Sequence, residues 1–351
     1  MIKQLLISIV SFLSLSCGVN STTQHSETAS RFGPWPLAFS GDGVVSLDNK
    51  CKKSDFYDLG MSFLGKTATD PASANIKQLA GKCIETRFFR PTINVEKQYD
   101  SKFNISRKAN HIYAANVKHT NGFYIAEIPA DKIQKVSYWI EQFGSIDLVS
   151  HGMMLLHFSS PVKLYSQKEG SSQTVTVRKL VLSVHAVGDD NNYDPVNKGL
   201  AKSYAMARGI FTLDQKLSDV ILGQGNSLKE FDINMASNDA EKFLKKYISG
   251  SQNRLYSKHY DTLKANCGTE LLYIMHQTMG TAKPKTPNII SFLRNMVRTG
   301  FSFRNSSSIP DITPGYAFKA MYDRSLISTE TPTLTPVQET AHGKAAIGRL
   351  R

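Results

Sequence analysis

Between His111 and Val187 the chain strings together short apolar runs with alternating character: NGFYIAEI, SHGMMLLHF, VKLYS and TVTVRKLVLSVHAV, separated by turn formers such as KEGSS. A period of two puts every second side chain on one face of a pleated strand, and the turn residues fold successive strands back on one another. This region is predicted to be an antiparallel sheet. DKIQKVSYWIEQFG, ahead of SHGMMLLHF, is read as a helix. After a polar loop, GDDNNYDPVNKG, come mixed elements, a helix SNDAEKFLKKYISGS, and a second helix opening at Cys267; IISFLRNMVRTG is a further helix candidate. Sheet first and helices afterwards is an α+β order.

The amino terminus bears on compartment. Residues 1–17 carry Lys3, then an uncharged apolar run from Leu5 to Leu15, then small residues before Cys17, the pattern of an export signal. The run is shorter than the roughly 20 residues that span a bilayer. Leu13 to Cys17 resembles a bacterial lipobox, so acylation of Cys17 and ordinary cleavage nearby both stay open. Residues 18–40, rich in Ser, Thr, Gly and Pro, read as a tether. Residues 41–100 read as a small amino-terminal element that includes a short helix, SANIKQLAGKC. The main domain is placed at 101–310, and 325–351, poor in large apolar residues, as a disordered tail. Of four cysteines, Cys51 and Cys83 form an even pair suited to a disulfide in an oxidising compartment.

Lys and Arg outnumber Asp and Glu by 42 to 29, a formal charge of +13 spread without a continuous basic tract. That excess suits an anionic membrane surface or wall polymer. With no zinc finger, RNA-binding motif or basic helix in the sequence, no specific nucleic-acid partner is expected.

Cys267 is the residue with chemical promise. Asn266 suits an N-cap, Gly268 and Thr269 a first turn, and Leu271, Leu272, Ile274 and Met275 an apolar helix face. A thiol there meets unpaired N–H groups and the positive dipole end, which favour thiolate, the nucleophilic form. The competing reading is a small buried residue, as free cysteines often are. A nucleophilic thiol needs a base and a group that orients it. His151 and His157 lie six apart in SHGMMLLHF and share a face with Met153 and Leu155, while His185 lies in LVLSVHAV. A histidine on such a face is more often structural, and His157 is read that way.

The order of parts from about Ile146 to Gln277 resembles the Lnb amino-terminal periplasmic domain family, related to circularly permuted papain-like enzymes of the NlpC and lecithin:retinol acyltransferase type. The matching pieces are SHGMMLLHF, LVLSVHAV, NKGL with FTLDQKLSD, GNSLKEFDINMASNDAEKFLKKY and YDTLKANCGTELL. The resemblance implies a permuted papain-like core in which an antiparallel sheet precedes the helix bearing the nucleophile. It further implies Cys267 as nucleophile, His151 as base and His185 at the third position, where related sequences often carry an acid. Ser150 and Asn266 would support the site by hydrogen bonding.

The chain contains neither CxxC nor HExxH, so no metal is expected, and no GxSxG, so a serine hydrolase is disfavoured. No cofactor is expected. The expectation is an exported enzyme of the bacterial envelope, periplasmic or lipid-anchored. It would pass an acyl group through a thioester on Cys267, by acyl transfer or by amide or ester hydrolysis, on a lipoprotein, lipid or peptidoglycan substrate. The alternative is an envelope binding protein that keeps the fold without turnover.

Overall fold

The computed structural model describes residues 45–46, 83–84, 89–120, 122–142, 150–167, 171–187, 202–253, 258–261, 265–280, 321 and 326–330. In chain order the elements are β1 (Val45–Ser46), β2 (Cys83–Ile84), β3 (Ile93–Asn94), α1 (Asp100–Phe103), β4 (His111–His119), β5 (Gly122–Pro129), β6 (Ile133–Gln142), β7 (Ser150–Ser166), β8 (Thr174–Val187), β9 (Tyr204–Thr212), α2 (Leu213–Leu217), β10 (Ser227–Ile233), α3 (Ser237–Asn253), β11 (His259–Tyr260), α4 (Cys267–Met279) and β12 (Ile327–Glu330). The class is α+β, with few helices against one large sheet. Cys17 and Cys51, the helix candidates SANIKQLAGKC (Cys83 apart) and IISFLRNMVRTG, and the loop after Val187 lie outside the described residues.

Among the described residues ten strands form that sheet. Part of it closes into a ring: β4 pairs with β5, β5 with the second half of β7, β7 with β8, β8 with β9, and β9 returns, in parallel, to β4. Ring closure leaves these strands few free edges. SHGMMLLHF and VKLYS, read as two strands, are one strand of 17 residues. Pro161 sits where the register with β8 shifts, between His157 and Val162, so the missing N–H falls in a bulge and the strand runs on.

The helix expected over DKIQKVSYWIEQFG is overturned. Ile133–Gln142 of this segment form β6, paired with β7 on one side and, over Val136–Gln142, with β10 on the other. Its Val, Ile, Tyr and Trp side chains favour a pleated surface. Both faces are covered, Val136, Tyr138 and Ile140 by one apolar cluster and Trp139 by another, so the alternation that marks a half-buried strand is missing. Two strands lie in segments read otherwise. β3 pairs with β4 inside the stretch assigned to the amino-terminal element, and β12 pairs with β10, so a disordered tail does not begin at 325.

The two long helices cover one face. Ala240, Phe243, Leu244, Tyr247 and Ile248 give α3 an apolar stripe at helical spacing, packed into the same cluster as Leu271, Leu272, Ile274 and Met275 of α4. That cluster also takes Met154 and Leu156 of β7. Met153 and Leu155 face the opposite side, with Phe89, Trp139, Val181 and Phe211. No helix among the described residues is long and apolar enough to cross a membrane.

Candidate functional site

Asn266 starts α4 as foreseen. Its side chain accepts from the Thr269 N–H at 2.9 Å, and the Thr269 hydroxyl accepts from the Asn266 N–H at 2.9 Å, a reciprocal capping box. Cys267 is the first helical residue, and Gly280 closes the helix at φ 66, in the left-handed region. The cap fixes where the thiol points. Sγ lies against β7, where the Gly152 N–H donates to it at 3.4 Å. At Gly152 the strand and α4 touch: a Cβ there would lie 2.3 Å from the Tyr138 hydroxyl and 3.3 Å from the Gly268 Cα. Only a residue without a side chain allows this approach.

The thiol's surroundings pull in opposite directions. Cys267 is 2% exposed, and burial, the largest effect, raises its pKa. Against that act the backbone N–H groups of Gly152, Gly268 and Cys267 itself and the Tyr260 hydroxyl, all of which lower it. The net direction is upward, which corrects the expectation of an acidic thiol: in this closed arrangement desolvation outweighs the helix end. Tyr260 also accepts from the Cys267 N–H at 3.3 Å. It lies seven residues upstream in YDTLKANC, between His259 and Asp261, and nothing local in the sequence marked this role.

His151 is on β7 next to Gly152, and by alternation it projects to the other face. Its Nε2 lies 2.7 Å from the Ser183 Oγ, and no hydrogen bond joins it to Cys267. His185, on the neighbouring strand, places its ring centroid 5.6 Å from that of His151. It touches Phe89 and Phe211 at 4.7 and 5.4 Å, and among the described residues its buried Nε2 has no hydrogen-bond partner. The structure therefore brings His151 and His185 together and seats Ser183 between strand neighbours as the group that holds His151. Burial pushes the His151 pKa down to about 3 and that of His185 well below its ordinary value, so both rings are neutral. Ser183 was legible only as a residue two positions from His185, on the same strand face.

Ser150 is buried, with no partner for its Oγ among the described residues, and Asn266 serves as the cap. Glu141 stands directly across from His151 in the β6–β7 pairing and accepts from the Asn226 amide at 2.7 Å. Sequence reasoning missed it because its strand had been read as a helix. His157 is half-buried, with its pKa lowered to about 4, chiefly by desolvation. Among the described residues no group of His, Cys, Asp or Glu is placed to hold a metal ion.

A family model for the Lnb N-terminal periplasmic domain matches residues 120–297. That span runs from β5 through the end of α4 and includes Cys267, Gly152, Tyr260, His151, Ser183 and His185, with Phe89 outside it. No curated protein and no solved structure gives a significant match.

Proposed function

The chain belongs to the Lnb N-terminal periplasmic domain family, and from that premise we propose that it is an exported envelope enzyme carrying an acyl group on Cys267. The core is then a permuted papain-type one, with the histidine strand before the cysteine helix. One observation carries the reading: the Cys267 sulfur sits at the start of α4, where the Gly152 N–H donates to it at 3.4 Å and the Tyr260 hydroxyl lies 3.3 Å from the Cys267 N–H. Such a setting suits a thiolate, and afterwards the oxyanion that forms when sulfur attacks a carbonyl. Desolvation is the one effect that raises the thiol's pKa. Admitting water or a polar substrate removes that one opposing effect and leaves the four that favour thiolate.

In the reaction Sγ bonds to the carbonyl carbon and the thiol proton passes to His151. The C–O or C–N bond of the donor breaks, and His151 returns the proton to the departing alcohol or amine. Water or an amine then takes the acyl group from the thioester, regenerating the thiol. His151 must first leave Ser183, a rearrangement at the start of β7. His185 orients it in the working state. The substrate is a lipoprotein, lipid or peptidoglycan fragment of the envelope, reached at an anionic membrane surface.

The test is intact-mass analysis of purified protein mixed with a diacylated lipopeptide. An acyl adduct on Cys267 that hydroxylamine releases, and that is lost in Cys267→Ser and slowed in His151→Ala, is the expected result. A mass unchanged in the presence of donor, with alkylation of Cys267 equally slow in the natural sequence and in His151→Ala, sinks the enzyme and favours the second reading, a binding domain without turnover. The sealed thiol, without a hydrogen bond to His151, is the observation on that side.

A further inference from the structure

The face that holds His151 and His185 also carries two buried cations. Lys118 and Lys216 are each 5% exposed. Lys118 lies opposite Phe211 in the parallel pairing of β4 with β9, so both side chains leave the sheet on the same side. Lys216 comes from α2, and its ammonium sits 4.9 Å from the centre of the Phe211 ring. The same ring is 5.4 Å from His185. Among the described residues neither lysine forms a hydrogen bond or an ion pair with a carboxylate; Lys216 has its cation–π contact with Phe211 and acts through its charge on His151 and His185.

Nearby acids are engaged elsewhere. Glu141 accepts from Asn226, and Asp219 accepts from the Gln215 amide at 2.7 Å. Asp214 acts on His119 and Lys179. Elsewhere in the fold buried charge is matched, as where Arg208 and Lys258 both clasp Glu270. A buried ammonium without a counter-charge is costly, and two on one side of the sheet more so.

We propose that Lys118 and Lys216, with the unpartnered Nε2 of His185, form a binding site for a phosphate group. Phosphate fits better than carboxylate because it offers oxygens in several directions and up to two negative charges, and lysine meets it as a point charge. The phosphate comes either as the headgroup of a phospholipid or as a free anion. The site needs no turnover at Cys267, so its test is separate from that of the acyl-transfer reading.

Isothermal titration of the full chain uses two probes: inorganic phosphate, and dihexanoyl phosphatidylglycerol below its micelle concentration. At least one binds the natural sequence. Lys118→Met and Lys216→Met each weaken binding roughly tenfold or more, and the double variant abolishes it. The thermal midpoint stays level or rises, because an uncompensated buried charge has gone. Lys118→Arg and Lys216→Arg keep binding within about threefold, which separates charge from packing. Binding of both probes with similar affinity identifies the free anion, and binding of the lipid alone identifies a headgroup. The proposal is overturned if neither probe binds, if the double variant binds within about twofold of the natural sequence, or if the Arg variants lose binding as the Met variants do.

Discussion

The thiol of Cys267 shows how one atom's chemistry depends on both helix end and burial. Because its pKa is raised, the native chain holds that proton to higher pH than the unfolded chain does. Stability from this group is complete below the ordinary thiol value and falls as pH rises through the native one. Iodoacetamide labelling of the folded protein should therefore be slow at neutral pH and climb as pH passes above the range of a free cysteine. Tyr260→Phe removes one of the groups that favour thiolate, so its labelling curve should move to still higher pH with an unchanged far-UV spectrum. A curve at or below that of free cysteine contradicts the burial argument.

At the scale of elements, α4 is fixed at three points, and each has its own cost. Asn266→Ala removes half of the capping box and should cost about 1 kcal/mol in urea unfolding. Gly152→Ala drives a methyl into the Tyr138 hydroxyl and toward α4, at a cost of about 1–3 kcal/mol, and should alter Cys267 labelling as well. Arg208 joins three elements. From β9 it reaches the Tyr247 carbonyl of α3 at 2.9 Å and Glu270 of α4. Arg208→Met leaves Glu270, 2% exposed, with Lys258 alone, and about 3 kcal/mol of destabilisation is expected. A loss well under 1 kcal/mol in that variant means that the network does not secure the helix.

For the molecule as a whole, pH acts through the buried histidines of β7 and β8. The folded-state pKa of His151 falls to about 3, that of His157 to about 4, and His185 falls well below the usual 6.5, with burial the leading cause in each. The unfolded chain thus takes up protons first as the solution is acidified. The contribution is fully present above about pH 6.5 and drains away as pH drops toward 4 and 3, at about 1.4 kcal/mol for each unit of depression. Acid unfolding followed by tryptophan fluorescence should begin below about pH 6, and His157→Gln should shift its midpoint downward. A midpoint unchanged by that substitution removes His157 from the account.

Local chemistry made part of this protein legible from its residues alone. The strands at Thr174–Val187 and Gly122–Pro129 and the helices at Ser237–Asn253 and Cys267–Met279 carry their own period, and Asn266 announces the start of the last. The order of five pieces, from SHGMMLLHF through LVLSVHAV to YDTLKANCGTELL, pointed to the family, where no single motif did. Long-range packing decided the rest. β6 is a strand because β7 and β10 flank it, and burial of both faces removed the alternation that would have revealed it. The return of β9 to β4 joins residues some ninety positions apart, which no local pattern encodes. It also sets Lys118 beside Phe211 and turns two unremarkable lysines into neighbours of His185. The pKa direction of Cys267 was a matter of competition, since the helix end is written in the sequence, but how completely water is excluded from the sulfur is a property of the folded chain.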